Sequence, residues 1–386
     1  MNVKKYICLI VCLIITLCCT SCGPVSTSSD SNATTDTSSS TNTSSTDALA
    51  MLYGFKEIKT VKYYCVKNFD DSDAVYLISN IITDSDTDIC DSSTTILCDN
   101  ENIKIENKLI TVPRSFIKKH KSVKLTVYHS GLDINYHFNL KFEDDWDLLF
   151  EDNFEGTEIN TDIWNIWDMA DWQYFYSPDS MFLDGEGHLI NRVSVLNAPD
   201  SEYGYTRQSG AITTKDKYTS TYGYYEVRLK PHLTYGMWSA FWLMAGDMGD
   251  EDATDDGSAT NGCEIDVVES IFKEKIPSHA IHWDGYYNDQ TKSLNTSNQL
   301  APKPEVFDGN FHTFAVRWSD KGYTFLVDGN VTYTTTEVDS CKQPAYMLIS
   351  SHIGEKWAGD VTLKPGEYSD TVVDYVRIYQ SPSDPV

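Results

Sequence analysis

Tryptophan is absent from the first 145 residues of this 386-residue chain: all nine lie at or beyond Trp146. The absence divides the chain by composition before any element is assigned. Of the ten cysteines, five lie at or before Cys22. The rest, Cys65, Cys90, Cys98, Cys263 and Cys341, show no C-x-x-C spacing, which excludes a zinc ribbon or a dithiol redox motif among them. Cys90 and Cys98 are close enough in sequence to close a loop in an oxidising compartment, and equally able to remain thiols. Basic residues are scarce, with 30 Lys and Arg against 57 Asp and Glu and a formal charge of -27. So acidic a chain repels nucleic acid and anionic lipid, and suits an uncharged partner outside the cell. Beyond the N-terminal apolar run, no long segment has helical periodicity and no unit repeats at a fixed period, which excludes helical and solenoid architectures.

The first 21 residues have the form of a signal peptide, with Lys4 and Lys5 ahead of an apolar run from Tyr6 to Cys19 that is short for a membrane span. The following Thr20-Ser21-Cys22-Gly23 resembles a bacterial lipobox, although Cys19 stands where Leu is usual. The expectation is a cell-surface lipoprotein acylated on Cys22, with simple secretion as the alternative. Membrane contact would be through that lipid alone, and the chain is expected to be a monomer. Residues 22–48 are mostly Ser, Thr, Asp, Asn and Ala, too polar to bury a core, and form a disordered tether.

Residues 49–145 contain short alternating runs, KYYCV, AVYLI, TTILC, KLITV, VKLTVYH and INYHFNL, spaced as in a small β-sandwich of Ig-like type. Nothing in them looks catalytic, and a spacer role is expected over glycan binding through the tyrosines. Residues 146–381 are again strand-rich: HLINRV, GYYEVRLK, MWSAFWLM, EIDVVES, HAIHW, HTFAVRW, YTFLVDG, AYMLIS and VVDYVRIY, separated by Gly, Asp, Asn and Pro. So many strands imply a large antiparallel sandwich or jelly roll, and the whole chain is read as all-β.

Within it, GCEIDVVES places Glu264, Asp266 and Glu269 among residues that favour a half-buried strand, where like charges repel and desolvation is costly. Alternation puts Glu264 and Asp266 on one face and Ile265 and Val267 on the other, with Val268 beside the acids. A β-bulge at Val267-Val268 returns Glu269 to the acidic face. In the preceding strand Trp238, Ala240 and Trp242 share one face, Phe241 and Leu243 the other. If the latter join the core, both indoles stand beside the acids, where flat rings suit the apolar face of a sugar.

Two carboxylic acids flanking a scissile bond are the equipment of glycoside hydrolysis, about 5 to 5.5 Å apart for retention and about 6.5 to 9.5 Å for inversion. Positions four apart on a flat strand are separated by roughly 13 Å, so retention requires the bulge and a curved sheet. Asp266, between them, can orient one Glu and separate the two pKa values. A metal-hydrolase reading fails on ligand type, because zinc favours His or Cys and His282 lies on another strand. The run DATDDGSAT lacks the ligand spacing and terminal Glu of an EF-hand.

E-I-D-V-V-E, preceded by YGYYEVRLKPHLTYGMWSAFWLM and followed by HAIHWDGY, FHTFAVRW, VDG and VDYVRIY, resembles glycoside hydrolase family 16 in its bulge-containing, laminarinase-like branch. FEDNFEGTEINTDIW is similar to that family's start. The resemblance implies a β-jelly roll with a long cleft, and endo-acting, retaining hydrolysis of a β-linked polysaccharide without a catalytic cofactor. It implies Glu264 as nucleophile, Asp266 as its helper and Glu269 as general acid and base. Trp238 and Trp242, by their strand parity, and Trp357, His282 and Trp283, by the resemblance, are the expected substrate contacts, with Arg207 either a further hydroxyl contact or a solvated or salt-bridged side chain. Alternation lets only one of His282 and Trp283 face the cleft, and the resemblance suggests His282, near Glu269. Glu226 and Arg228 are expected to form a structural ion pair. The family's structural Ca²⁺ site maps to Asn153 and Asp374, oxygen donors of the right kind, though Asn replaces the usual acid.

Trp238-Ser239 replaces the Trp-Pro pair usual in laminarinases, and Ser180 and Ser350-Ser351 stand where many relatives have Asn. The expected substrate is β-1,3-glucan or mixed-linkage β-1,3-1,4-glucan. The alternatives are β-galactan or mucin-type glycans on the same fold, or a surface lipoprotein that binds glycans without cleaving them.

Overall fold

The computed structural model describes residues 57–385 apart from 131–133, 172, 274, 288–290 and 297–298. The signal peptide, Cys22 and the tether at 22–48 lie outside the described residues. Helix is confined, among the described residues, to the single turns Arg114–Ile117 and Glu355–Ala358 and a 3-10 turn at Pro178–Ser180.

The chain divides into two compact units. The smaller holds a four-stranded sheet, in the order Ile58–Lys67, Ala74–Thr83, Leu109–Val112 and Lys104–Glu106, and a three-stranded antiparallel sheet of Thr94–Leu97, Ser122–His129 and Ile134–Lys141. Each alternating run of residues 49–145 coincides with one of these strands, with Cys98 and Lys108 just outside the strand ends. In Ser122–His129, Val123, Leu125 and Val127 are buried while Lys124 is exposed, the period-2 pattern of a strand with one face on a core. The larger unit runs from Glu143 onward and also takes Cys65–Val75. Cys90 and Cys98 are both free thiols, so they close no loop between them.

The larger unit is a two-layer β-sandwich. One layer has eleven strands, with Leu189–Val195, Tyr368–Gln380, Gly223–Lys230, His312–Ser319, Gly322–Val327 and Asn330–Thr335 adjacent in that order. The other has seven, ordered Lys292–Asn295, Ile276–Trp283, Gly262–Ile271, Met237–Gly246, Ala345–Ile353, Ala211–Thr213 and Asn165–Ile166. Consecutive central strands of the seven-stranded layer pair antiparallel. Phe241, Leu243, Ile265, Val267, Val268 and Ile281 from this layer meet Val227, Phe314, Val316, Phe325, Val373 and Val376 from the other in one buried core. Each such side chain contributes about 1.5–3 kcal/mol relative to exposure. That core fixes the register of the seven-stranded layer, since a slip of one residue would turn the apolar set outward. The opposite face is thereby left for the acids, and the architecture is the all-β jelly roll implied by the sequence.

Candidate active site

The acidic strand Gly262–Ile271 carries an inserted residue. Against the neighbouring strand Ile276–Trp283, Asp266 pairs with Ala280 and Glu269 with Ser278, so Val267 and Val268 together oppose His279. Against Met237–Gly246, Asp266 pairs with Trp242 and Val268 with Phe241, leaving Val267 without a partner there too. Both valines are fully buried in the core. Two consecutive core-facing residues are what a bulge permits, and Glu264, Asp266 and Glu269 consequently share the outer face.

Strand order then sets the neighbours of each acid. Tyr346, Met244, Glu264 and His282 form one cross-strand row; Leu348, Trp242, Asp266 and Ala280 the next; Ser350, Ala240, Glu269 and Ser278 the third. Beyond them Trp238 pairs with His352 on one side and Ile271 on the other. Trp238 stacks on His352 (centroids 4.8 Å apart, planes 11°) and meets Trp357 edge-on at 5.3 Å. Trp238, Trp242 and Trp357 belong to one small cluster separate from the main core. Trp238 and Trp242 thus lie on the strand next to the acids, and Trp357 packs against Trp238.

Burial dominates the electrostatics. It raises all three carboxyls because the charged form loses hydration. Glu264 is pushed up to about 8, by burial first and then by Asp266. Glu269 is held well above the ordinary carboxylate range for the same two reasons, and burial raises Asp266. His282 opposes the shift at both glutamates. The Trp238 indole N–H has no partner at hydrogen-bond distance, yet faces Glu269 and favours its charged form. The Tyr286 hydroxyl does the same for Glu264. Burial and mutual repulsion thus raise the proton affinity of the set and disfavour charging all three carboxyls at once, which equips it for proton transfer.

Other expected residues lie elsewhere. His282 is on the acidic face, but its Nε2 is 3.2 Å from Asp266 and it stands across from Glu264, not Glu269. Trp283 points the other way, packing on the main core with its indole N–H directed at the Gly257 carbonyl (3.3 Å), so it does not line the acidic face. Arg207 comes from the eleven-stranded layer, and its guanidinium would lie 3.6 Å from a Cβ at Gly354, at the foot of the turn that carries Trp357. Glu226 and Arg228 do not pair: Glu226 accepts from Tyr224 and Tyr375, while Arg228 pairs with Asp374. That ion pair bears on calcium, because Asp374 faces a guanidinium and the Asn153 side-chain oxygen accepts from Arg377 at 3.3 Å. Cations already occupy both oxygen donors, so this pair does not fit a Ca²⁺ site. Glu264, Asp266 and His282 do bring ligand atoms within 4.8 Å of one another, a grouping that a metal ion could use.

Sequence reasoning missed the layer behind the indoles. Trp242 Nε1 donates to Ser350 Oγ at 3.0 Å, and Ser350 Oγ lies 2.9 Å from His352 Nε2. His352 Nδ1 is 3.1 Å and 3.2 Å from the hydroxyls of Tyr174 and Tyr176. Burial lowers His352 to about 4, so it stays neutral near physiological pH. The alternation of AYMLISSHI placed Ser350 and His352 on one face; only strand order could place that face beside Trp238 and Trp242.

The chain is 25% identical over 266 residues to glucan endo-1,3-beta-glucosidase A1 of Niallia circulans, covering 60% of this chain and 38% of the relative. It is 24% identical over 249 residues to keratan-sulfate endo-1,4-beta-galactosidase of Sphingobacterium multivorum, covering 62% of this chain and 56% of the relative. The chain thus spans less than two thirds of either. The endo-beta-1,3-glucanase structure from Pyrococcus furiosus superposes with a TM-score of 0.52 at 22% identity, covering 61% of this chain and 95% of that one, a likeness of fold. Residues 148–381 match the family model described as "Beta-porphyranase A-D, GH16 domain", well over half of the chain, and this protein belongs to glycoside hydrolase family 16.

Proposed function

We propose that this chain is an endo-acting β-glycanase that cleaves with retention of configuration, on β-1,3-glucan or mixed-linkage β-1,3-1,4-glucan. The observation that carries the reading is the bulged strand, which puts Glu264, Asp266 and Glu269 on one face beside Trp238 and Trp242. Glu264 attacks the anomeric carbon while Glu269 protonates the departing glycosidic oxygen, giving a glycosyl ester on Glu264 and a free sugar end. Glu269, now a carboxylate, takes a proton from water, which opens the ester and restores both residues. Asp266 raises the proton affinity of both glutamates, which keeps Glu269 protonated for the first step. The indoles stack on the sugar rings flanking the cleaved bond.

The glucan assignment draws on the Niallia relative. The family model's porphyranase name and the Sphingobacterium galactosidase favour a second reading, cleavage of β-galactan or mucin-type glycans on the same face. Lys4, Lys5, the apolar run and Thr20-Ser21-Cys22-Gly23 support placing the enzyme outside the cell, held by lipid on Cys22.

The test is release of reducing ends from laminarin, lichenan, galactans and mucin glycans by the chain from residue 22 onward, beside Glu264→Gln. Release that disappears in the variant while oligosaccharide binding survives supports the reading and names the sugar. Undiminished release by Glu264→Gln overturns it, and binding without release by the wild type moves the assignment to a glycan receptor.

A further inference from the structure

His279 is a fully buried imidazole that the mechanism above leaves without a task. It lies on the strand beside the acidic one, directly opposite the inserted pair Val267-Val268. Its side chain enters the core. Nδ1 lies 2.6 Å from the Val267 carbonyl oxygen, and Nε2 lies 3.0 Å from Thr332 Oγ1 in the other layer. The ring stacks on Phe325, also in that layer, at 4.6 Å and 14°. Its backbone is fastened as well, the N–H donating to Thr296 Oγ1 and the carbonyl accepting from Thr296 N.

A bulge leaves its extra residue out of the ladder, and a buried carbonyl without a donor is costly. Val267 is that residue on both sides of the acidic strand. A carbonyl can only accept, so His279 Nδ1 must donate, which fixes the neutral tautomer with Nε2 turned to Thr332. Burial lowers the ring's pKa to about 4, in keeping with a neutral imidazole.

We infer that His279 is a positioning residue: by satisfying the Val267 carbonyl and tying it to the second layer, it holds the bulge that aims Glu269 at the same bond as Glu264. Without it, the Val267 carbonyl is orphaned in the core and the bulge loses its tie to the second layer, so Glu269, beyond the bulge, is no longer held on the bond while Glu264 and Asp266, before it, stay in place. The inference rests on the proposed acid/base role of Glu269, and a mis-aimed general acid has a chemical signature. A 2,4-dinitrophenyl leaving group departs without protonation, so the first step survives. Azide needs no general base, so it opens the glycosyl ester on Glu264 to give glycosyl azide and free carboxylate.

The experiment compares wild type, His279→Leu and His279→Asn, the last of which carries an amide N–H close to where Nδ1 stood. On polysaccharide, His279→Leu should lose about 10²-fold or more in kcat with KM little changed. On the dinitrophenyl glycoside of the oligosaccharide that wild type releases, the loss should be tenfold or less, at roughly a tenth of the polysaccharide effect, and azide should accelerate turnover. His279→Asn should recover most of the polysaccharide rate. Equal loss on both substrates without an azide response, an unchanged polysaccharide rate, or an Asn variant no better than Leu each overturns the inference.

Amide hydrogen exchange over residues 264–271 reads the same contact without any substrate: it should rise in His279→Leu and stay near wild type in His279→Asn. It therefore separates failure of this inference from failure of the glycosidase reading, which would appear as a wild type that cleaves nothing. Should His279→Leu not fold, His279→Gln, whose amide cannot occupy the Nδ1 position, replaces it in the comparison.

Discussion

Asp266 Oδ2 lies 3.2 Å from His282 Nε2, and the other ring nitrogen of His282 is 2.6 Å from Ser293 Oγ. The pair brings opposite influences to the two glutamates: Asp266 raises both, His282 lowers both. The acid limb of a bell-shaped rate profile reports Glu264 losing its proton to become the nucleophile, and the basic limb reports Glu269 losing the proton it must donate. Removing the neighbouring negative charge makes both protons easier to lose. Asp266→Asn should therefore move both limbs of kcat/KM to lower pH, by about half to one unit, and His282→Gln should move them upward by a similar amount. Three pH profiles decide it; shifts of the same sign in both variants would contradict this account of the charges.

Two tryptophans separate binding from stability. Trp242 is half-buried on the acidic face, whereas Trp164 is fully buried in the main core and donates through Nε1 to Asp152 at 2.8 Å. Trp242→Ala should weaken oligosaccharide binding about tenfold, equivalent to about 1.4 kcal/mol, with a small change in Tm. Trp164→Ala should cost about 3–5 kcal/mol of stability and leave Kd unchanged in the folded fraction. Calorimetric titration with thermal melts checks both, and an unaltered Kd for Trp242→Ala would remove the indole from the substrate path.

The acidic strand was legible because its argument was local. Parity along EIDVVES required an inserted residue at Val267-Val268, and parity along MWSAFWL set Trp238 and Trp242 against Phe241 and Leu243. The same parity excluded Trp283 from the face that holds His282, so its placement among the substrate contacts went against the sequence's own pattern. Relations between strands were not legible. His282 meets Asp266 because of where the chain turns between Ile271 and Ile276, and Ser350 and His352 stand behind the indoles because a strand some hundred residues later pairs there. The calcium reading overlooked the arginines for the same reason: Arg228 and Arg377 approach Asp374 and Asn153 from other strand positions.

Metal dependence separates acid/base chemistry from metal hydrolysis at one set of side chains. Glu264, Asp266 and His282 offer three ligand atoms within 4.8 Å, but a nucleophilic Glu264 must be free of an ion to attack carbon. Dialysis against EDTA should leave kcat unchanged, and it should leave Tm unchanged because Asn153 and Asp374 are held by arginines. A rate that falls on chelation and returns with one added divalent ion would overturn the carboxylate mechanism. A Tm that falls and returns with Ca²⁺ would restore the calcium site.

Far from the acids, Arg317 and Asp384 form a buried pair with two hydrogen bonds, 2.9 Å from Nη1 and 2.5 Å from Nη2. Nη1 also donates to the Trp318 carbonyl, and Asp384 accepts from Ser381 N at 3.3 Å, so both charges are satisfied without water. Arg317 lies on the His312–Ser319 strand of the eleven-stranded layer, which ties the chain beyond its last strand, Tyr368–Gln380, to that layer. Removing one partner leaves the other charged and buried, at a cost of about 3–5 kcal/mol, whereas replacing both with apolar side chains leaves no orphan. Asp384→Ala should therefore lower Tm by roughly 10 °C, taking about 2–4 °C per kcal/mol for a unit of this size. Arg317→Met combined with Asp384→Leu should recover most of that loss. Because neither residue approaches Glu264 or Glu269, kcat measured well below either melting point should be the same in all three proteins. A fall in kcat without a fall in Tm would mean that this layer shapes the acidic face, and the separation of stability from catalysis drawn here would be wrong.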